Sequence, residues 1–135
     1  MGTLSKIDKT GGCLCGGVRY RVTAPLRSVV YCHCSQCRRT SGHFVAATAV
    51  DKDALVMEAD ESLEWFRSSE TASRGFCRRC GSSLFWRPGA RDYVCIMAGT
   101  LDESTGLEAV EHIYVSDKGD YYELTDDLPK LPGHY

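Results

Sequence analysis

The chain has 135 residues, of which 43% are hydrophobic and 25% charged, with a formal net charge of −2. That length and balance suit one folded domain with a single core. They exclude nucleic-acid binding driven by bulk charge, and no run approaches the roughly 18 apolar residues of a membrane span. The N-terminal stretch Met1-Gly2-Thr3-Leu4-Ser5-Lys6-Ile7-Asp8-Lys9 holds no apolar export core, so the expected setting is cytoplasmic. Residues 1–10 are polar and read as a flexible N-terminus.

Gly11-Gly12-Cys13-Leu14-Cys15-Gly16-Gly17 follows. Flanking glycines allow tight turns and close approach to an ion. In an extended segment, residues i and i+2 share a side, so Cys13 and Cys15 can address one ion together. Residues 17–23 alternate apolar and polar side chains and read as a half-buried strand. Residues 28–32 read as a second strand. It runs into Cys32-His33-Cys34-Ser35-Gln36-Cys37-Arg38-Arg39, where three thiols lie within six positions. Residues 36–41 suit a short helix that Gly42 would cap. Further strands are expected at 43–50, 54–57, and 62–67, the last with Leu63 and Trp65 inward. In Cys77-Arg78-Arg79-Cys80-Gly81, the glycine suits the positive φ that often follows such a pair. Residues 82–86 read as a strand, 92–99 as a central strand, 107–115 as another, and 121–124 as a last short one. No stretch keeps a helical apolar period for three turns. The expectation is therefore an all-β fold held by metal knuckles.

Eight cysteines could form disulfides, but Cys-x-Cys spacing and the absence of an export core favour metal. Cys13, Cys15, Cys77, and Cys80 supply a closed set of four for a structural zinc, which would staple the first strand to the late sheet. Cys32, Cys34, and Cys37 supply three ligands for a second zinc with an open position, the usual pattern of catalytic sites. Zinc with four thiolates carries a net −2, and with three a net −1. Arg38, Arg39, Arg78, and Arg79 are placed to offset that charge and donate to sulfur. Cys95 reads as a buried core thiol. Trp65, Phe85, and Trp86 read as core. His33, between two ligands, reads as a supporting or exposed residue. His43 and His112 read as ordinary histidines.

Gly12-Cys13-Leu14-Cys15-Gly16, Cys32-His33-Cys34-Ser35-Gln36-Cys37-Arg38, Ser41-Gly42, and Phe76-Cys77-Arg78-Arg79-Cys80-Gly81 together resemble the glutathione-dependent formaldehyde-activating enzyme family, which also includes centromere protein V. Gly99-Thr100-Leu101-Asp102 and His112-Ile113-Tyr114-Val115 look like its later signatures, whereas Tyr121-Tyr122 stands where many members carry a tryptophan. The resemblance implies an Mss4-like fold of zinc-stapled antiparallel sheets with short helical turns. It implies one family domain over residues 11–130, with 131–135 as a C-terminal tail. It also implies a zinc-dependent carbon–sulfur lyase-type reaction on an adduct of an aldehyde with glutathione or another thiol, at the three-cysteine zinc. The alternative is a non-catalytic zinc module that binds glutathione, another thiol, or a macromolecular partner. Nucleic acid and membrane partners are not expected, and the sequence does not fix an oligomeric state.

Overall fold

The computed structural model describes residues 8–134. The expectation of a frayed N-terminus therefore lies outside the described residues for 1–7. Lys9 and Thr10 instead open the first strand, β1 (Lys9–Gly12). It pairs antiparallel with β2 (Arg19–Val22), which pairs antiparallel with β5 (Leu55–Ala59) to complete a three-stranded sheet. Thr10 stays in this strand because its hydroxyl donates to Asp102 at 2.6 Å and its carbonyl takes the Asp102 N–H.

The larger sheet has seven strands, in the order β10-β3-β4-β9-β8-β7-β6. These are β3 (Val29–Cys32), β4 (Val45–Asp51), β6 (Leu63–Arg67), β7 (Ala72–Cys77), β8 (Ser83–Pro88), β9 (Tyr93–Met97), and β10 (Ala109–Ile113). β9 lies fourth of seven, as its apolar run predicts. All neighbours are antiparallel except β10 and β3, which run parallel.

Side chains alternate across this sheet, so its two faces build two cores. Val94 and Ile96 of β9 join Phe85, Leu84, and Val50 against Tyr20, Val18, and Val22 from the smaller sheet. Leu84, Phe85, and Ile96 are essentially fully buried, and each such side chain stabilises the fold by about 1.5–3 kcal/mol. Tyr20 meets Phe85 edge-on at 5.3 Å. Its hydroxyl bonds Thr100 at 2.7 Å, which satisfies the polar tip inside the core. On the other face, Cys95 packs with Val45, Ala47, and Ala49. Trp86 and Arg74 continue the row, because Arg74 pairs with Trp86, Trp86 with Cys95, and Cys95 with Ala49.

One short helix, α1 (Ser35–Ser41), sits against this second face through buried Cys37. Its first turn is capped by Cys34, whose Sγ accepts from the Cys37 N–H at 3.3 Å. Gly42 ends it with φ 86° and returns its N–H to the Arg38 carbonyl, the left-handed cap expected of that glycine.

Residues 121–124 form no strand. The tyrosines there are drawn into ring contacts and hydrogen bonds with His33 and His43. The outer edge of β10 is covered instead by residues 129–133. The His112 N–H donates to the Pro129 carbonyl, the His112 carbonyl accepts from the Leu131 N–H, and the Tyr114 N–H donates to the Gly133 carbonyl. A free sheet edge is thereby closed. Among the described residues, no helix is long and apolar enough to cross a membrane.

Candidate metal centres

Cys13 and Cys15 lie in a turn after β1 rather than in extended chain. The turn still brings their Sγ atoms to 3.6 Å of each other, and Cys15 Sγ to 3.6 Å of Cys77 Sγ. All four Sγ atoms of Cys13, Cys15, Cys77, and Cys80 lie within 4.8 Å of one another. A disulfide needs about 2.05 Å, and every cysteine is a free thiol. Four thiolates around one ion at about 2.3 Å stand about 3.8 Å apart in a tetrahedron, so the donor set fits a metal ion.

The surroundings favour thiolate. Gly17 N–H donates to Cys15, Val18 N–H to Cys13, and Cys80 N–H to Cys77, at 3.2–3.4 Å. Gly81 follows with φ 80° and bonds its N–H back to Cys77. Two serines that the sequence does not single out complete the ring. Buried Ser62 lies 3.2 Å from Cys77, and Ser82 lies 3.2 Å from Cys80. The Ser82 hydroxyl pulls the Cys80 thiol down to about 5, and the Ser62 hydroxyl lowers Cys77. Cys15 is the exception. The Gly17 N–H pulls it down, but burial and the neighbouring sulfurs outweigh that and raise it to about 11. A metal ion binds the thiolate form and displaces such a proton.

The Sγ atoms of Cys32, Cys34, and Cys37 likewise lie within 4.8 Å of one another, and among the described residues no fourth Cys, His, Asp, or Glu joins them. Cys32 ends β3, Cys34 caps α1, and Cys37 lies one turn into it. Hydrogen bonds from the Cys32 and Cys37 thiols hold Cys34 down to about 2. The Cys34 partner and then Cys37 push Cys32 up. Cys37 is raised as well, because its Cys34 partner and burial outweigh the bond from Cys32.

These three thiols open onto a cavity of about 250 Å³ beneath α1. Its floor is the second face of the large sheet, with Val30, Val45, Ala47, Trp86, Cys95, and Met97. Trp86, expected in the core, is thus a cavity wall. Cys95 is buried as expected and borders the same space.

Arg78 donates to the Glu61 carbonyl at 2.7 Å and Arg79 to the Glu61 carboxylate at 3.4 Å. Arg39 is exposed on α1, and Arg38, also on α1, buries its Nε without a hydrogen-bond partner. The arginine that reaches a cluster sulfur is Arg74 of β7, 3.8 Å from Cys37 and 3.3 Å from the Gln36 side-chain oxygen. Sequence reasoning missed it. A lone arginine at an inward position of a strand, three residues before Cys77, was the available signal.

His33 is fully buried, not exposed. Its ring bonds Tyr122 Oη at 2.6 Å through Nδ1 and His112 Nδ1 at 2.8 Å through Nε2. His112 Nε2 meets Asp126 at 2.8 Å. The His112 bond holds the Asp126 carboxyl down to about 2. An ionised Asp126 only accepts, so with both rings neutral the His112 proton lies on Nε2 and Nδ1 accepts. His33 then donates from Nε2 and accepts from the tyrosine. This buried chain fixes the peptide between Cys32 and Cys34. His43 is exposed and bonds Tyr121 at 2.7 Å.

Burial, with the nearby His112, lowers His33 from 6.5 to about 4. Between those values the unfolded chain binds the proton and the folded one does not, so stability falls as pH drops through that window. His33→Gln should show a shallower loss of melting temperature than wild type between pH 6.5 and 4. Parallel curves would remove His33 as the cause.

The two-sheet, cysteine-stapled architecture is that of an Mss4-like domain with two candidate metal centres. Residues 8–117 match the family model described as glutathione-dependent formaldehyde-activating enzyme, and the chain belongs to that family. A Halomonas elongata protein carrying the name of the same enzyme is 29% identical over 124 residues, covering 84% of this chain and 79% of that one. An uncharacterized lyase of Schizosaccharomyces pombe is 26% identical over 119 residues, covering 86% and 85%. A crystal structure of a Rhodobacter sphaeroides protein superposes with a TM-score of 0.59 at 25% identity, covering 74% of this chain and 97% of that one.

Proposed function

We propose that the protein is a cytoplasmic, zinc-dependent carbon–sulfur lyase-type enzyme. Its substrate would be an adduct of an aldehyde with glutathione or a similar thiol. The observation that carries this reading is the inequality of the two clusters: four sulfurs close the first, whereas the second has three and faces a cavity. Cys13, Cys15, Cys77, and Cys80 would hold a structural zinc. Cys32, Cys34, and Cys37 would hold the second, which would supply Lewis acidity and a soft seat for sulfur. Three thiolates donate enough charge to favour a thiol ligand over a hydroxide.

The chain's own residues do the rest. Cys34, held as thiolate by its neighbours, and the capped start of α1 fix the ligand triangle. The apolar floor excludes water from the bond that breaks. In the adduct, the carbon–sulfur bond cleaves with its electron pair going to sulfur, while the hydroxyl loses its proton and the aldehyde is released. Arg74 beside Cys37 offsets the sulfur charge.

Metal analysis of the purified protein should find two zinc ions per chain, one for each cluster. One or none would contradict the two-site assignment. Adduct turnover is followed by NMR with glutathione and formaldehyde. Acceleration over the uncatalysed exchange supports the enzyme, whereas a flat time course with tight glutathione binding identifies a carrier.

A further inference from the structure

The cavity beside the three cysteines carries a charge pattern that thiol binding alone does not require. Arg74 is only 8% exposed, yet its Nε has no hydrogen-bond partner. A buried unpaired donor on a guanidinium is costly, so this positive group is held at the cavity wall at some expense. Arg27 stands exposed at the same cavity and spends two nitrogens on the carbonyls of Ser28 and Ala47. Among the described residues, no Asp or Glu lines the space. The remaining wall is largely apolar, which strengthens any ion pair formed there. Arginine presents a planar fork that matches a carboxylate.

We propose that this cavity selects thiols or thiol adducts that carry a carboxylate. Arg74 is the specificity-determining group, the Gln36 side chain holds it in place, and Arg27 draws the anion in from the rim. This rests on the assignment of the three-cysteine cluster as a sulfur-binding metal site and names the substrate class of that site. The volume of about 250 Å³ is below the roughly 300–1,000 Å³ of pockets that enclose drug-sized ligands. A compact anionic thiol, or the thiol-bearing end of a larger one, is therefore what it would enclose.

The zinc-loaded full chain is titrated by calorimetry, with Trp86 fluorescence as a second readout. The ligands are 3-mercaptopropionate, 2-mercaptoethanol, cysteamine, and propionate. The carboxylate thiol should bind at least tenfold tighter than mercaptoethanol, and cysteamine weakest. Arg74→Gln should reduce the first ratio to within twofold, with 3-mercaptopropionate losing far more affinity than mercaptoethanol. Arg74→Lys, which keeps charge but not the fork, should retain an intermediate preference. Equal affinities in the wild type overturn the proposal, and that comparison needs no variant to fold. A uniform loss of all thiols together with zinc in Arg74→Gln also overturns it, because Arg74 would then only balance the sulfurs. If no thiol binds but propionate does, dependent on Arg74, the sulfur-site reading fails and the anion site stands. If nothing binds, both fail.

Discussion

Cys77→Ser should leave the chain unfolded at ambient temperature. The substitution removes one of four ligands from the cluster that joins the turn after β1 to the end of β7, 62 positions apart. Structural zinc contributes apparent binding energies of about 10–16 kcal/mol in small domains. That is as large as the roughly 5–15 kcal/mol stability of an ordinary domain. Cys77 is also fully buried and takes bonds from the Cys80 N–H and the Ser62 hydroxyl. A serine oxygen would leave the other three thiolates crowded and under-neutralised. Circular dichroism should show loss of the β signal, with both metals released. A melting temperature within a few degrees of wild type would show that the packed sheets suffice without the staple.

Cys34→Ser should have the opposite profile. Serine is a preferred N-cap, so its Oγ can take over the bond from the Cys37 N–H and keep α1 in place. The four-cysteine cluster is untouched, and melting should shift by no more than a few degrees. Zinc content should fall from two to one, and thiol binding should weaken on the order of 100-fold or more, beyond what loss of a supporting group costs. If this variant unfolds as Cys77→Ser does, the triplet is a second staple and the cavity is incidental.

Much of this was legible in the cysteine spacing. Both clusters, the cap roles of Gly42 and Gly81, and the central place of β9 follow from residue types at fixed intervals. Local patterns failed where a tertiary partner decided the outcome. Tyr121 and Tyr122 have strong β propensity, but two histidines some 80 positions earlier claim their hydroxyls. Thr10 looks like a polar tail residue until Asp102 anchors it. His33 reads as a supporting or exposed residue; what the sequence could not show is that it enters a hydrogen-bonded chain ending at Asp126. Trp86 and Cys95 are core by composition, and only the strand register places them side by side on the cavity floor. Arg74 was hidden for the same reason, since its contact with Cys37 spans two distant elements.

The proposed activity depends on one cluster being complete and the other not. Zinc-edge X-ray absorption on the two-zinc protein measures this directly, as the average number of sulfurs around each ion. Four ligands at one site and three at the other should give an average near 3.5, rising to 4 when 3-mercaptopropionate is added. An average that stays at 3.5 with the thiol present, and with a protein nitrogen or oxygen filling the remaining position, would contradict the assignment of the three-cysteine centre as the working site.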